Sequence, residues 1–81
     1  MHYCVYILYS DSISRYYTGQ CEDIVNRLSE HNSGETPSIK HGIPWRVVWS
    51  HKVPSRREAL ALERKIKSRG AERFLKDLDI K

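Results

Sequence analysis

Several residues of this 81-residue chain combine types and spacings that could handle a phosphate ester. Arg27 and His31 stand four positions apart, so on a helix they project from one side. An arginine there can neutralise charge developing on a phosphate, and a histidine can hydrogen-bond or move a proton near neutral pH. The same two residues would also suit an ordinary exposed helical face. Glu63 is harder to read as surface decoration. At about 100 degrees per residue, with Ala59 at zero, Leu62 falls near ~300, Ile66 near ~340 and Glu63 near ~40 degrees. A carboxylate flanking an apolar stripe must be paired, protonated or bound to a cation, because burying it alone is expensive. Two readings stay open: a boundary glutamate paired with Arg27 or a nearby lysine, or a functional carboxylate. Tyr6 and Tyr17, with Tyr9 and Tyr16 close by, would usually be core or cross-strand residues. Their hydroxyls could instead orient a water or a phosphate oxygen, provided they open to the same cleft as Glu63.

Positioning these groups requires a small set of elements. Tyr3, Val5, Ile7 and Tyr9 alternate with Cys4, Tyr6 and Leu8, and both faces are apolar or aromatic, as in a central strand covered on both sides. Asp11 to Arg15 suits a hairpin loop, after which Tyr16 to Gln20 return as a second strand. Gly19 fits a bend or the close approach of another backbone. A helix is expected from about Asp23 to Asn32, with Ile24 and Leu28 four apart, ending at Asn32, Ser33 and Gly34. A polar loop, Glu35 to Pro44, leads into a third strand from Trp45 to Trp49. The two tryptophans are expected to share one sheet face and to pack in the core, with base stacking as the alternative. Ser55 and Glu58 have capping-box spacing, opening a helix to about Ser68 with Gly70 as its stop and a short helix from Ala71 to Leu78 behind it. This order predicts an α+β fold, a three-stranded antiparallel sheet flanked by helices.

Length argues for one domain over residues 1–81, with a single affordable core. The 14 Lys and Arg against 10 Asp and Glu favour an anionic partner without naming one. Most of the excess lies between Lys52 and Arg73, in the long helical region. Cys4 and Cys21 are too few for a disulfide framework and lack zinc-site spacing, so simple thiols in a reducing compartment are expected. The apolar run around Cys4 to Tyr9 is far short of the ~20 residues of a membrane span, and no leader pattern is seen, which predicts a cytoplasmic protein without a membrane partner.

Taken together, these residues resemble the GIY-YIG nuclease domain, in its small stand-alone form related to the nuclease module of the bacterial excision-repair incision subunit. Cys4, Val5 and Tyr6 resemble the first signature triplet and Tyr17, Thr18 and Gly19 the second. The stretch from Asp23 through Arg27 and Leu28 to His31 and Asn32 looks like the first helix of the family, and Glu63 matches its metal-binding glutamate. The resemblance covers nearly the whole chain. It implies metal-dependent hydrolysis of DNA phosphodiesters in a bacterial, repair-like setting, with Glu63 holding Mg or Mn. It further implies Tyr6 as general base or water-positioning group, Tyr17 at the phosphate, Arg27 stabilising the transition state and His31 assisting proton transfer. A free tyrosine titrates near pH ~10, so whether Tyr6 or His31 takes the proton stays open. One carboxylate is a thin ligand set for Mg, which would be completed by water and substrate. Cys4 and Thr18 depart from the triplets tolerably. Gln20 stands where several relatives carry Lys, which removes a positive charge near the expected phosphate.

Arg56, Arg57, Arg64 and Lys67 are the expected phosphate contacts on the basic helix. Without a recognisable DNA-reading motif, selectivity would come from a homodimer, a targeting partner or DNA shape. Two other classes compete with the nuclease: a nucleic-acid-binding module with weak or lost catalysis, and a small protein-interaction domain whose basic helix meets an acidic partner.

Overall fold

The computed structural model describes residues 2–78, so Met1 and residues 79–81 of the expected 1–81 domain lie outside the described residues. Its elements run β1 (Tyr3–Ser10), β2 (Arg15–Cys21), α1 (Ile24–Asn32), a 3-10 turn (Pro37–Gly42), β3 (Trp45–Val53), α2 (Arg56–Arg69) and α3 (Ala71–Leu78). The three strands form one antiparallel sheet in the order β2-β1-β3. The all-apolar first strand is therefore central, as its two-sided pattern requires.

Alternation along β1 divides the core in two. Cys4, Tyr6 and Leu8 face a cluster with Cys21, Ile39 and Trp45, covered in part by Ile24 and Leu28 of α1. Val5 and Ile7 face Val53, Ala59 and Ile66, with Leu62, Phe74 and Leu75 of α2 and α3 packed alongside. Fully burying an aliphatic side chain such as Ile7 or Ile66 is worth roughly 1.5–3 kcal/mol, so this second cluster anchors α2 on the sheet.

The expected caps are in place. The Asp23 carboxylate accepts from the backbone N–H of Asn26, and the Ser55 hydroxyl accepts from that of Glu58 while the Glu58 side chain returns to Ser55. Gly70 ends α2 at φ +93, a conformation that favours glycine, and the Arg69 guanidinium forks onto Asp77 to tie α2 to α3.

Three expectations change. The loop from Glu35 to Pro44 contains the 3-10 turn, which buries Ile39 and accepts the indole N–H of Trp45 on the Ile39 carbonyl at 2.8 Å. The third strand runs on to Val53. Trp45 and Trp49 do not share a face: Trp45 packs in the α1-side cluster and Trp49 against Phe74 on the other. Ile7 pairs with Trp49 but Leu8 with Val47, so Val48 is an extra residue that shifts the register. One bulged residue inverts the alternation of everything beyond it.

Candidate active site

Tyr6 lies in the centre of the sheet, paired across to Gly19 of β2. Its ring crosses over that glycine: a Cβ at Gly19 would stand 2.6 Å from the Tyr6 hydroxyl and 2.8 Å from its Cζ. Any other residue would have to displace the phenol, so the glycine admits a side chain where the sequence left open a backbone approach.

The Tyr6 hydroxyl is 2.9 Å from His31 Nε2, and His31 Nδ1 is 2.9 Å from the Thr36 hydroxyl. Tyr17 packs edge-on to the imidazole at 5.4 Å between ring centres and lies 6.4 Å from the Tyr6 ring. Tyr6 and His31 are 2% and 1% exposed, so this is a buried polar chain with every link made. His31 is thus no part of an exposed helical face. Arg27, on the same side of α1, is the exposed member and pairs with Glu30 at 3.5 Å.

Burial sets the electrostatics. It pushes the Tyr6 phenol well above the ordinary tyrosine value, helped by Tyr17 and Cys21, with Arg27 opposing and Glu63 adding to the rise. It pulls His31 below the ordinary imidazole value, with Arg27 acting in the same direction. At neutral pH the pair is a neutral phenol against a neutral imidazole. The Cys21 thiol is pushed up to about 11, by burial first and then by Cys4, and both cysteines are free and buried. The expectation of simple thiols fits that environment.

Glu63 reaches the same strand from the other side. Gln20, opposite Val5 in the sheet, faces α2, and its amide donates to Glu63 Oε1 at 3.2 Å. Lys67 Nζ sits 2.7 Å from Glu63 Oε2, one helical turn on. The Glu63 side chain is 18% exposed, a boundary carboxylate held by two partners. Of the two cations considered for it, the lysine is the one in place, and Arg27 is not its partner. Gln20 itself brings no charge to this spot, but an ammonium arrives there from α2.

The phenol–imidazole chain and the carboxylate therefore occupy opposite faces of β2, linked around its edge. Arg27 and Gln20 border one shallow depression of about 280 Å³ with Tyr3, Cys21, Glu22 and Arg56. The expected phosphate contacts lie on one side of α2: at about 100 degrees per residue, Arg56, Lys67, Arg64 and Arg57 span roughly 100 degrees of arc. Arg56, Arg57 and Arg64 line a second groove with Leu60 and Ala61, and Arg56 belongs to both hollows.

A divalent cation would find limited protein ligation here. Among the described residues no group of three or more His, Cys, Asp or Glu could hold one. The donor chemistry of Glu63 nevertheless fits a hard cation that keeps its waters and shares substrate oxygens, and the Lys67 ammonium already on Oε2 shows that the position accommodates positive charge.

Two contributors carry no sequence signal. Thr36 lies past the end of α1, outside any periodic pattern, and touches His31 only because the chain turns back there. Asn32 bonds both the N–H and the carbonyl of Trp45, fixing the end of α1 to the start of β3. A polar residue at a helix end was visible; its distant partner was not.

Comparison with known proteins places this architecture. No curated protein matches the sequence. The chain is similar to the UPF0213 protein BH0048 from Bacillus halodurans, known from a solution NMR structure, at 30% identity and a TM-score of 0.59 over 98% of this chain and 86% of that one. Residues 2–75 match the GIY-YIG catalytic domain, and the chain belongs to that family.

Proposed function

We propose that this protein is a divalent-cation-dependent endonuclease that hydrolyses DNA phosphodiester bonds, working as one domain over residues 1–81. The observation that carries the reading is the Tyr6–His31–Thr36 hydrogen-bond chain on one face of the sheet, with a cation-compensated glutamate at the rim of the other. Hydrogen-bonded to each other, the phenol and the imidazole also form a proton path between two titratable groups.

In this reading Glu63 holds Mg or Mn, which when bound supplies Lewis-acid stabilisation of the phosphate and leaving group. The chain's own residues do the rest. With the imidazole proton on Nδ1, facing Thr36, Tyr6 donates its hydroxyl proton to His31 Nε2. The phenol is too weak an acid to be a standing phenolate, so Tyr6 takes a proton from water only as it passes its own to His31. In this reading the pair acts together as the base. Tyr17 orients the phosphate next to the pair, and Arg27, exposed on α1, meets the charge that develops there. Arg56, Arg57, Arg64 and Lys67 contact neighbouring phosphates. Lys67, now on Glu63, would be free to contact a substrate phosphate were Glu63 to hold the cation.

The family match supports the nuclease reading; the proposed setting is a cytoplasmic role in DNA repair, as a homodimer or with a targeting partner. Gln20 favours a second reading, a binding module without turnover, because it leaves the site without a lysine on β2. One assay separates them. Purified protein and Glu63→Ala are incubated with end-labelled single-stranded, duplex, flap and branched DNA, with Mg, Mn or chelator. Discrete products lost in the chelator and lowered by about 10²–10³-fold or more in the variant are expected. No cleavage by folded wild type across the panel would overturn the enzyme and leave the binder.

A further inference from the structure

Another hollow lies apart from the one that Arg27 borders. It is an open cleft of about 690 Å³ between the free edge of β2 and the junction of α2 with α3, walled by Tyr16, Tyr17, Lys67, Arg69, Gly70 and Arg73. Two of its walls belong to the candidate active site: Tyr17 packs on His31, and Lys67 sits on Glu63. The cleft therefore begins where the scissile phosphate is proposed to lie and leads away from it along β2.

Its chemistry is specific in kind. Tyr16 is 37% exposed, with its ring 4.8 Å from that of Tyr9, so it offers a supported aromatic face. Three cations line the cleft against one carboxylate, Glu72, which is itself paired with Lys76. Arg69 is committed to Asp77, whereas Arg73 makes no ion pair among the described residues. At Gly70 the floor is open, since a Cβ there would meet nothing within 4 Å. A further hollow lined by Arg69, Arg73, Lys76 and Asp77 continues along α3 with three cations against one carboxylate. An exposed aromatic platform near a cation free of an ion pair suits an unpaired nucleic-acid strand, because every base has a face to stack and every nucleotide a phosphate.

We infer that this cleft receives the nucleotides next to the scissile phosphate as an unpaired strand, with a base on Tyr16 and a phosphate on Arg73. The inference rests on the nuclease reading for its polarity but makes a separate claim about binding. It assigns the protein a preference for single-stranded or flap segments over intact duplex, whose bases are stacked and cannot enter.

The test is fluorescence anisotropy with labelled single-stranded and duplex oligonucleotides, in chelator, over a range of salt. Arg73→Glu is expected to weaken single-strand binding about 10-fold and to flatten the salt dependence by a slope of about 0.7 per lost phosphate contact. Tyr16→Ser should weaken it about 5- to 100-fold with the slope unchanged, and Tyr16→Phe should bind as wild type. Lys52→Glu, an exposed lysine on the strand at the opposite edge of the sheet, controls for net charge. Thermal melts establish that each variant is folded. Equal effects of Arg73→Glu and Lys52→Glu would overturn the inference, as would Tyr16→Ser binding unchanged or duplex showing the same dependence on Tyr16. Cleavage is scored apart: cleft-dependent binding with no turnover in Mg or Mn would overturn the nuclease alone, and turnover with binding indifferent to Arg73 and Tyr16 would overturn the cleft alone.

Discussion

On the side of the sheet covered by α1, the central strand buries the phenol of Tyr6 against the imidazole of His31, and a threonine hydroxyl closes the chain. On the side covered by α2 and α3, the same strand buries only Val5 and Ile7, against Ala59, Ile66 and Val53, and polar groups stay at the rim. The first arrangement adds nothing that aliphatic packing could not supply more simply, since net hydrogen-bond stabilisation is modest and an unmade bond is costly. The second is an ordinary core, and its one unusual feature, Glu63, is placed where it can reach solvent. What the difference teaches is that a hydrogen-bonded polar chain and plain aliphatic packing are divided between the two faces, with β2 contributing to both. Tyr17 and Gly19 serve the polar face and Gln20 the other.

That division can be broken on either side. Tyr6→Phe keeps the ring over Gly19 and removes only the hydroxyl. It is expected to lower the cleavage rate about 10²–10⁴-fold, while the stranded His31 Nε2 costs roughly 1–3 kcal/mol of stability. Rate loss without matching unfolding, seen by kinetics beside a denaturant titration, would bear this out; equal loss of both would make Tyr6 a structural residue. Ile66→Ala tests the plain face. A cavity there should cost about 2–5 kcal/mol, with turnover per folded molecule unchanged. A turnover defect in the folded fraction would show that the two faces are not separate.

The smallest effect sharpens the comparison through pH. His31 titrates below its ordinary value in the folded protein, so the unfolded chain takes up a proton near pH ~6.5 that the folded chain resists. Stability contributed by the neutral imidazole is present above that pH and is lost as pH falls below it, down to the folded value. Melting temperature followed from pH 7.5 to 5.5 should therefore fall more steeply for wild type than for His31→Gln. Parallel curves would place His31 in a solvated setting at odds with its burial.

Much of this was legible in the chain. Alternation along Tyr3 to Tyr9 is a local property, and it announced a two-sided central strand. The caps at Asp23 and Ser55 act within three residues, and the offset of Glu63 from the Ala59, Leu62 and Ile66 stripe follows from helical pitch alone. The paired triplets and Arg27, His31 and Glu63 carried the family. The remaining features depend on contacts whose partners lie far apart in sequence. No local pattern foretells that Val48 bulges and sends Trp45 and Trp49 to opposite faces, because the extra residue is defined only against β1. None foretells that Gln20 crosses 43 positions to reach the Glu63 carboxylate. Periodicity and spacing specify which way a side chain leaves its own element; what it meets is decided when the elements pack. The sequence by itself determined the strands, the helices and the chemistry they carry, and only the tertiary structure decided which groups share a proton, a charge or a cleft.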